Sequence, residues 1–383
     1  MIKRRILVVL ESRATYGYSK NVMRAMASFT TLELTTLVTG AHLSPEFGHS
    51  IDLIRRDGFP VTCTVPMLPE GNGRSAWPQA LGRAIVGYAD AFEKMAPDIV
   101  LLSGDRVETL GACIAAAYQH LPIAHIQAGD TSGHIDDLSR AAIGKFAHIH
   151  LASCEDSANR LRRMGEQDFR IYNVGAPQLD NIVGRRFPPK VMDFEGGSLD
   201  LSTPYLLVMQ HPVLAEIDSV ASQTAATVRA AMRTGLPVVW VYPNTDLGYR
   251  QILEVMQAPR EYPDIRIVTN VERDDFLTLL ANCAALVGNS SSGILEAPSF
   301  RVPVVNIGNR QRGRPQASNI LNCGYDEAEI SEAIATALND PAFRTRCTAA
   351  VNPFGDGRSG DRICRILAEV PVDSRLLDKD CTY

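Results

Sequence analysis

The chain has 383 residues, 45% hydrophobic and 21% charged, with 28 glycines and 22 prolines. That length exceeds what one hydrophobic core ordinarily fills, so two domains are expected, and the balance excludes wholesale disorder, collagen-like repeats and a disulfide miniprotein. A net charge of -5 without long basic runs excludes a nucleic-acid binder as the ordinary reading. In chain order, short Val- and Ile-rich runs predict strands at Ile6–Leu10, Leu32–Val38, Ile99–Leu102, Ile123–Ile126, Ile149–Ala152 and Arg170–Asn173. A second series follows at Tyr205–Met209, Val238–Tyr242, Ile265–Val268, Ala285–Val287 and Val302–Asn306. Between them, Ala80–Met95, Val107–His120, Glu155–Met164 and Thr224–Thr234 read as helices, being free of internal proline. Apolar strands that each lead to a helix indicate parallel sheets covered on both faces.

The expected fold class is therefore α/β, with two Rossmann-like doubly wound domains. The Pro- and Gly-punctuated stretch Arg185–Thr203 reads as the linker. The expected division is residues 1–184, residues 204–362 and a C-terminal tail, 363–383. No apolar run approaches the roughly 20 residues of a membrane-spanning helix. The basic Lys3–Arg5 start is followed by too short an apolar segment for a signal peptide, so a cytoplasmic protein with no membrane partner is expected. The eight cysteines stand singly without metal-ligand spacing, so no metal is expected.

Doubly wound sheets bind ligands beyond the carboxyl ends of their strands. Those ends carry Arg13, Asp105-Arg106, Gln127–Asp130, Gln210-His211, Asn244 and Gly288–Gly293. The small hydroxyl-rich Gly288–Gly293 loop can leave backbone N–H groups for a phosphate, with Glu296 near ribose hydroxyls; Ser290 capping a helix with Glu296 on its surface is an equal reading. Arg13 and Arg310 suit pyrophosphate oxygens, and Asp105-Arg106 suits acid/base work or a structural ion pair. His211 can donate to a leaving phosphate or serve as a loop histidine. Asp130, Asp136 and Asp137 can perturb one another as acid/base groups or simply stabilise a helix start. No Gly-x-Gly-x-x-Gly follows the first strand, which weighs against a nicotinamide enzyme.

Taken in order, seven segments resemble the hydrolysing UDP-N-acetylglucosamine 2-epimerases of nonulosonic-acid pathways. They are Arg13–Tyr16, Gly104–Arg106, Ser132–Asp137, Gln210–Val213, Pro243–Asp246, Gly288–Gly293 with Glu296, and Asn309–Arg314. The resemblance implies a glycosyltransferase-B-like fold with the active site in the interdomain cleft. It implies loss of UDP from a UDP-2-acetamido sugar and addition of water with inversion at C2, giving the free 2-epimer for sialic- or legionaminic-acid biosynthesis. By position it implies that Asp105, Asp136, Gln127, Asp130 and His211 are catalytic. Arg13, Arg106, Asn244, Val271, Ser290, Ser291, Glu296 and Arg310 would bind the UDP-sugar, with no cofactor and a homo-oligomer, dimer or tetramer. Family members often have His-x-Glu-Gly-Gly-Glu where this chain has His125–Asp130, so the substrate is UDP-GlcNAc or a UDP-2,4-diacetamido-2,4,6-trideoxy sugar. The non-hydrolysing 2-epimerase, a glycosyltransferase of the same fold and a nucleotide-sugar-binding protein are the alternatives.

Overall fold

A computed structural model describes residues 3–45, 49–70, 75–131, 135–194, 197–243, 248–257, 265–269 and 271–380, without the side chains of Ala14, Ile135 and Asp136. The first strands are β1 (Arg4–Leu10), β2 (Leu32–Thr39), β3 (Cys63–Val65), β4 (Ile99–Ser103), β5 (Ile123–Ile126), β6 (Ile149–Ala152) and β7 (Ile171–Asn173). They are followed by β8 (Val191–Phe194), β9 (Gly197–Asp200), β10 (Leu206–Met209), β11 (Val238–Val241), β12 (Ile265–Val268), β13 (Ala285–Gly288), β14 (Val304–Ile307) and β15 (Ile320–Cys323). The chain divides into two units, Met1–Asn181 with Phe354–Tyr383, and Ile182–Pro353.

The first unit holds a seven-stranded sheet in the order β3-β2-β1-β4-β5-β6-β7. Its strands pair in parallel throughout. Alternation along β1 sends Ile6, Val8 and Leu10 to one core layer and Leu7 and Val9 to the other, and all five are buried. A strand buried on both faces needs this unbroken apolar run, because successive side chains point to opposite sides. The second unit repeats the plan in the order β12-β11-β10-β13-β14-β15, again parallel. Both orders reverse direction at the centre, between β1 and β4 and between β10 and β13, which is where doubly wound sheets open a crevice.

Two features depart from the expected division. The stretch expected as a linker carries the antiparallel β8–β9 hairpin within the second unit. Arg185 donates to both carboxylate oxygens of Asp274 at 3.0 and 3.1 Å, and Lys190 pairs with Asp275 at 2.5 Å. Pro and Gly mark turns there, and the ion pairs dock those turns. The end of the chain, in turn, belongs with the first unit from Phe354 onward, earlier than the expected break at 363. In helix Ser359–Glu369, Ile363, Cys364 and Leu367 are buried in the layer that contains Ile6 and Val8. Asp180 accepts from the first amides of that helix, Ser359 N at 2.9 Å and Gly360 N at 2.6 Å. Arg4 donates to the carbonyls of Leu367 and Val370 at its other end, at 2.7 and 2.9 Å. Each fully buried aliphatic side chain contributes roughly 2 kcal/mol, enough to offset the ordering of one or two residues apiece.

Candidate active site

In the first unit, the loop after β4 turns sharply at Gly104 and presents Asp105 and Arg106. Asp105 ion-pairs with Arg140, which lies on helix Ile135–Phe146; both side chains are largely buried. The same guanidinium donates to the Gln127 carbonyl at 3.0 Å. Burial alone would weaken the Arg140 charge, but the neighbouring carboxylates of Asp105, Asp130 and Asp137 hold it raised above its ordinary value. Arg140 therefore stays charged and fixes the ends of β4 and β5 relative to each other.

His125 supports the same turn from below. It is fully buried, and that burial lowers its pKa to about 3, so the ring is neutral. Its Nε2 lies 2.6 Å from the Gly104 carbonyl, which only a protonated Nε2 can satisfy as donor. Gln127 follows with φ of 60°, a left-handed conformation rare outside glycine. Asp130 Oδ1 accepts from Ser153 Oγ at 2.5 Å and Ser157 Oγ at 2.7 Å, on the loop and helix that follow β6. Asp105, Gln127, Asp130 and Arg140 thus form one neighbourhood. Residues 132–134 and the Asp136 side chain lie outside the described residues, although the Asp136 backbone begins the helix that carries Arg140.

On the β1 side, Glu11 is completely buried at the strand end. Neither of its carboxyl oxygens has a hydrogen bond of ordinary geometry among the described residues. Burial pushes its carboxyl up to about 8; the nearby Thr15 side chain and Arg106 oppose the shift, and the Glu108 charge adds to it. Glu108 is itself buried and pairs with the exposed Arg106 at 3.4 Å. Arg13 is exposed at the first position of helix Arg13–Met26, whose N-cap Ser12 accepts from Thr15 N at 3.4 Å.

In the second unit, β10 and β13 run in register to Met209 and Gly288. Gly288 has φ of 132°, and a Cβ there would collide with the Met209 carbonyl, so only glycine lets these two strand ends close up. The closure sets Asn289 against His211. Asn289 Oδ1 accepts from His211 N at 2.7 Å, and Asn289 Nδ2 donates to the His211 carbonyl at 2.9 Å. The Asn289 carbonyl accepts from Gln311 Nε2 at 2.8 Å and Arg310 Nη1 at 3.2 Å. Ser290 caps the short helix Ser291–Leu295, accepting from Ser292 N at 3.3 Å. Glu296 is not a surface residue: it is 5% exposed and ion-paired with Arg273. Val271 lies just before helix Arg273–Asn282, half-buried, and Asn244 is outside the described residues. His211, Ser290 and Arg310 therefore gather around Asn289, while Glu296 sits at the far end of the short helix that Ser290 caps.

Arg140, Asn289, Gln311 and Arg273 were not among the expected site residues. Arg140 had a readable signal, four positions after Asp136 on one helix face. Asn289 lies inside the Gly288–Gly293 loop, where three hydroxyls stand beside its single amide. Among the described residues, no group of three or more His, Cys, Asp or Glu could hold a metal, and no helix is long and apolar enough to cross a membrane.

The class this defines is an α/β protein of two Rossmann-like units, with carboxylates at one central strand reversal and amide, hydroxyl and guanidinium groups at the other. Residues 24–368 match the family described as UDP-N-acetylglucosamine 2-epimerase. The chain is 35% identical over 380 residues to a protein of Legionella pneumophila named "UDP-N,N'-diacetylbacillosamine 2-epimerase (hydrolyzing)", covering 99% of this chain and all of that one. It is 29% identical over 333 residues to the Campylobacter jejuni "GDP/UDP-N,N'-diacetylbacillosamine 2-epimerase (hydrolyzing)", covering 86% of each. Among solved structures, the UDP-GlcNAc 2-epimerase of Neisseria meningitidis bound to UDP-GlcNAc superposes with a TM-score of 0.78 at 16% identity, over 95% of this chain and 99% of that one. The chain belongs to the UDP-N-acetylglucosamine 2-epimerase family, and its fold is of the glycosyltransferase-B-like type.

Proposed function

We propose that this protein is a hydrolysing 2-epimerase acting in the cytoplasm on a UDP-2,4-diacetamido-2,4,6-trideoxy sugar. It converts the nucleotide sugar to UDP and the free 2-epimeric sugar, a precursor of a legionaminic-type acid. The likeness to the hydrolysing Legionella protein over the whole chain supports the reaction and the sugar. The observation that carries the site is the Asp105–Arg140 pair joined to the Gln127 carbonyl, since it offers an oriented carboxylate at a strand reversal.

The chemistry proceeds by elimination and hydration. A carboxylate of the first unit takes the proton from sugar C2 while the C1–O bond breaks and UDP leaves with its electron pair, giving a C1–C2 double bond. Water then adds its oxygen at C1, and a proton returns to C2 from the opposite face. Two groups on opposite sides of the ring are required, and Asp105 and Asp136 fill these roles, with Asp130 completing the acidic set. Gln127, lacking an exchangeable acid, hydrogen-bonds the sugar or its acetamido groups. His211 and Asn244 serve the phosphates, donating to the departing diphosphate as its charge develops. Arg13, Arg106 and Arg310 neutralise the same charge, and Ser290 and Ser291 add hydroxyl and backbone donors. Glu296 and Val271 hold the nucleoside, with Arg273 orienting the Glu296 carboxylate.

Incubation in deuterium oxide tests the reading. UDP-2,4-diacetamido-2,4,6-trideoxyglucose should yield UDP and a free sugar carrying one deuterium at C2 with inverted configuration, read by NMR. UDP-GlcNAc should react more slowly. Recovery of an epimerised UDP-sugar would indicate the non-hydrolysing reaction, and absence of turnover without an added acceptor would indicate a transferase.

A further inference from the structure

At the reversal between β10 and β13, Asn289 is 2% exposed, and its amide meets the two peptide groups that flank the His211 Cα. The amide oxygen faces an N–H and the amide nitrogen faces a carbonyl of the same residue, His211. Turning the amide over would oppose donor to donor and acceptor to acceptor, so a single orientation satisfies both contacts. Pro212 follows His211 and is buried, and a residue before proline is confined to extended backbone. The main chain of His211 is thus held from three sides. The carbonyl of the same Asn289 holds Arg310 and Gln311. One buried residue therefore sets the positions of the imidazole and of a guanidinium that belongs to a different loop.

We infer that Asn289 is a positioning residue that aims His211 at the departing diphosphate and sets its distance from Arg310. The inference rests on the role given above to His211. The two halves of Asn289 act differently, which makes the idea testable. Its carbonyl persists in every variant, so the hold on Arg310, and with it the affinity for UDP, is kept. Its side chain holds the main chain of His211. Asn289→Asp keeps an acceptor for the His211 N–H but turns a carboxylate oxygen toward the His211 carbonyl, displacing that loop without changing its size.

Four proteins decide the matter: Asn289→Asp, Asn289→Ala, His211→Ala and the His211→Ala/Asn289→Ala pair, each measured for kcat, KM, inhibition by UDP and thermal midpoint. A displacement near 1 Å at a reacting group costs on the order of 100-fold, so kcat should fall about 10- to 100-fold in both Asn289 variants. UDP inhibition should stay within about threefold, since charge-assisted contacts to the diphosphate carry that affinity. In the paired variant the Asn289 effect should vanish, because residues acting through one another are non-additive. Unchanged kcat in both Asn289 variants, or full additivity in the pair, overturns the inference while leaving the His211 role standing. Normal turnover by His211→Ala overturns both. Should Asn289→Asp fold poorly by its thermal midpoint, Asn289→Ser with retained UDP binding carries the same comparison.

Discussion

The two sheets of this protein have the same strand order about their central reversal, yet that position is furnished in opposite ways. Between β1 and β4 the strand ends deliver ionisable groups: a fully buried Glu11, the Glu108–Arg106 pair and the Asp105–Arg140 pair. Between β10 and β13 they deliver amides and a hydroxyl, Gln210, Asn289 and Ser290, the last two held by main-chain hydrogen bonds. Buried carboxylates at close range perturb one another and suit proton transfer. Neutral amides and a hydroxyl, with Arg310 and the His211 imidazole beside them, offer donors to an anion. On the function proposed above, a fold that repeats itself would separate the handling of protons from the handling of phosphate.

The sharpest way to break this comparison is to disable each side and ask which kinetic constant responds. Asp105→Asn removes the basic carboxylate while keeping an acceptor for Arg140. It should lower kcat by about 100- to 10,000-fold, the usual share of a general acid or base, with UDP inhibition nearly unchanged. Arg310→Ala should do the reverse, weakening UDP by about 10- to 100-fold, as expected for loss of a charge-assisted contact, with a smaller effect on kcat. Product-inhibition curves and single-turnover rates separate the two. If Arg310→Ala lowers kcat alone, or Asp105→Asn abolishes UDP binding, the division of labour fails.

Much of this layout was open to reading from the chain. Ile123–Ile126, Ile149–Ala152 and Ile265–Val268 are strands with the expected bounds, because a continuous apolar run between polar turns has few other destinations. β3 and β15 went unread: the first has three residues, and the second is a half-exposed edge strand, so neither leaves an apolar run. The stretch 185–203 has the punctuation of a linker, and only distant partners, Asp274 and Asp275, reveal that it is docked. The return of helix Ser359–Glu369 to the first unit is likewise a long-range event, written in Asp180 and Arg4. Strand-end position singles out Asp105, His211 and Ser290 as candidates. The groups that hold them, Arg140 and Asn289, were hidden because a supporting role depends on what a side chain reaches, which local spacing does not encode.

The smallest expected effect concerns Glu11, the group that makes the first reversal most unlike the second. An unfolded chain ionises this carboxyl near 4.5, whereas the folded protein keeps its proton to about 8. Between those values the folded state binds more protons than the unfolded one, so this residue's contribution is complete below about pH 4.5 and is lost as pH rises through about 8. The charges bearing on it are Glu108 and Arg106; burial raises the hydroxyls of Tyr18 and Tyr88, and Glu11 adds to both shifts. Glu166, lowered to about 2 by His150 and Lys379 against its own burial, acts with the opposite sign at acid pH. Because Glu166 is common to both proteins, comparing wild type with Glu11→Gln cancels it. The amide is neutral throughout, so the variant should match wild type near pH 5 and exceed its thermal midpoint by about 5 °C above pH 8. Parallel pH profiles for the two proteins would mean that Glu11 is ionised in the folded state, with Arg106 the positive charge that bears on it.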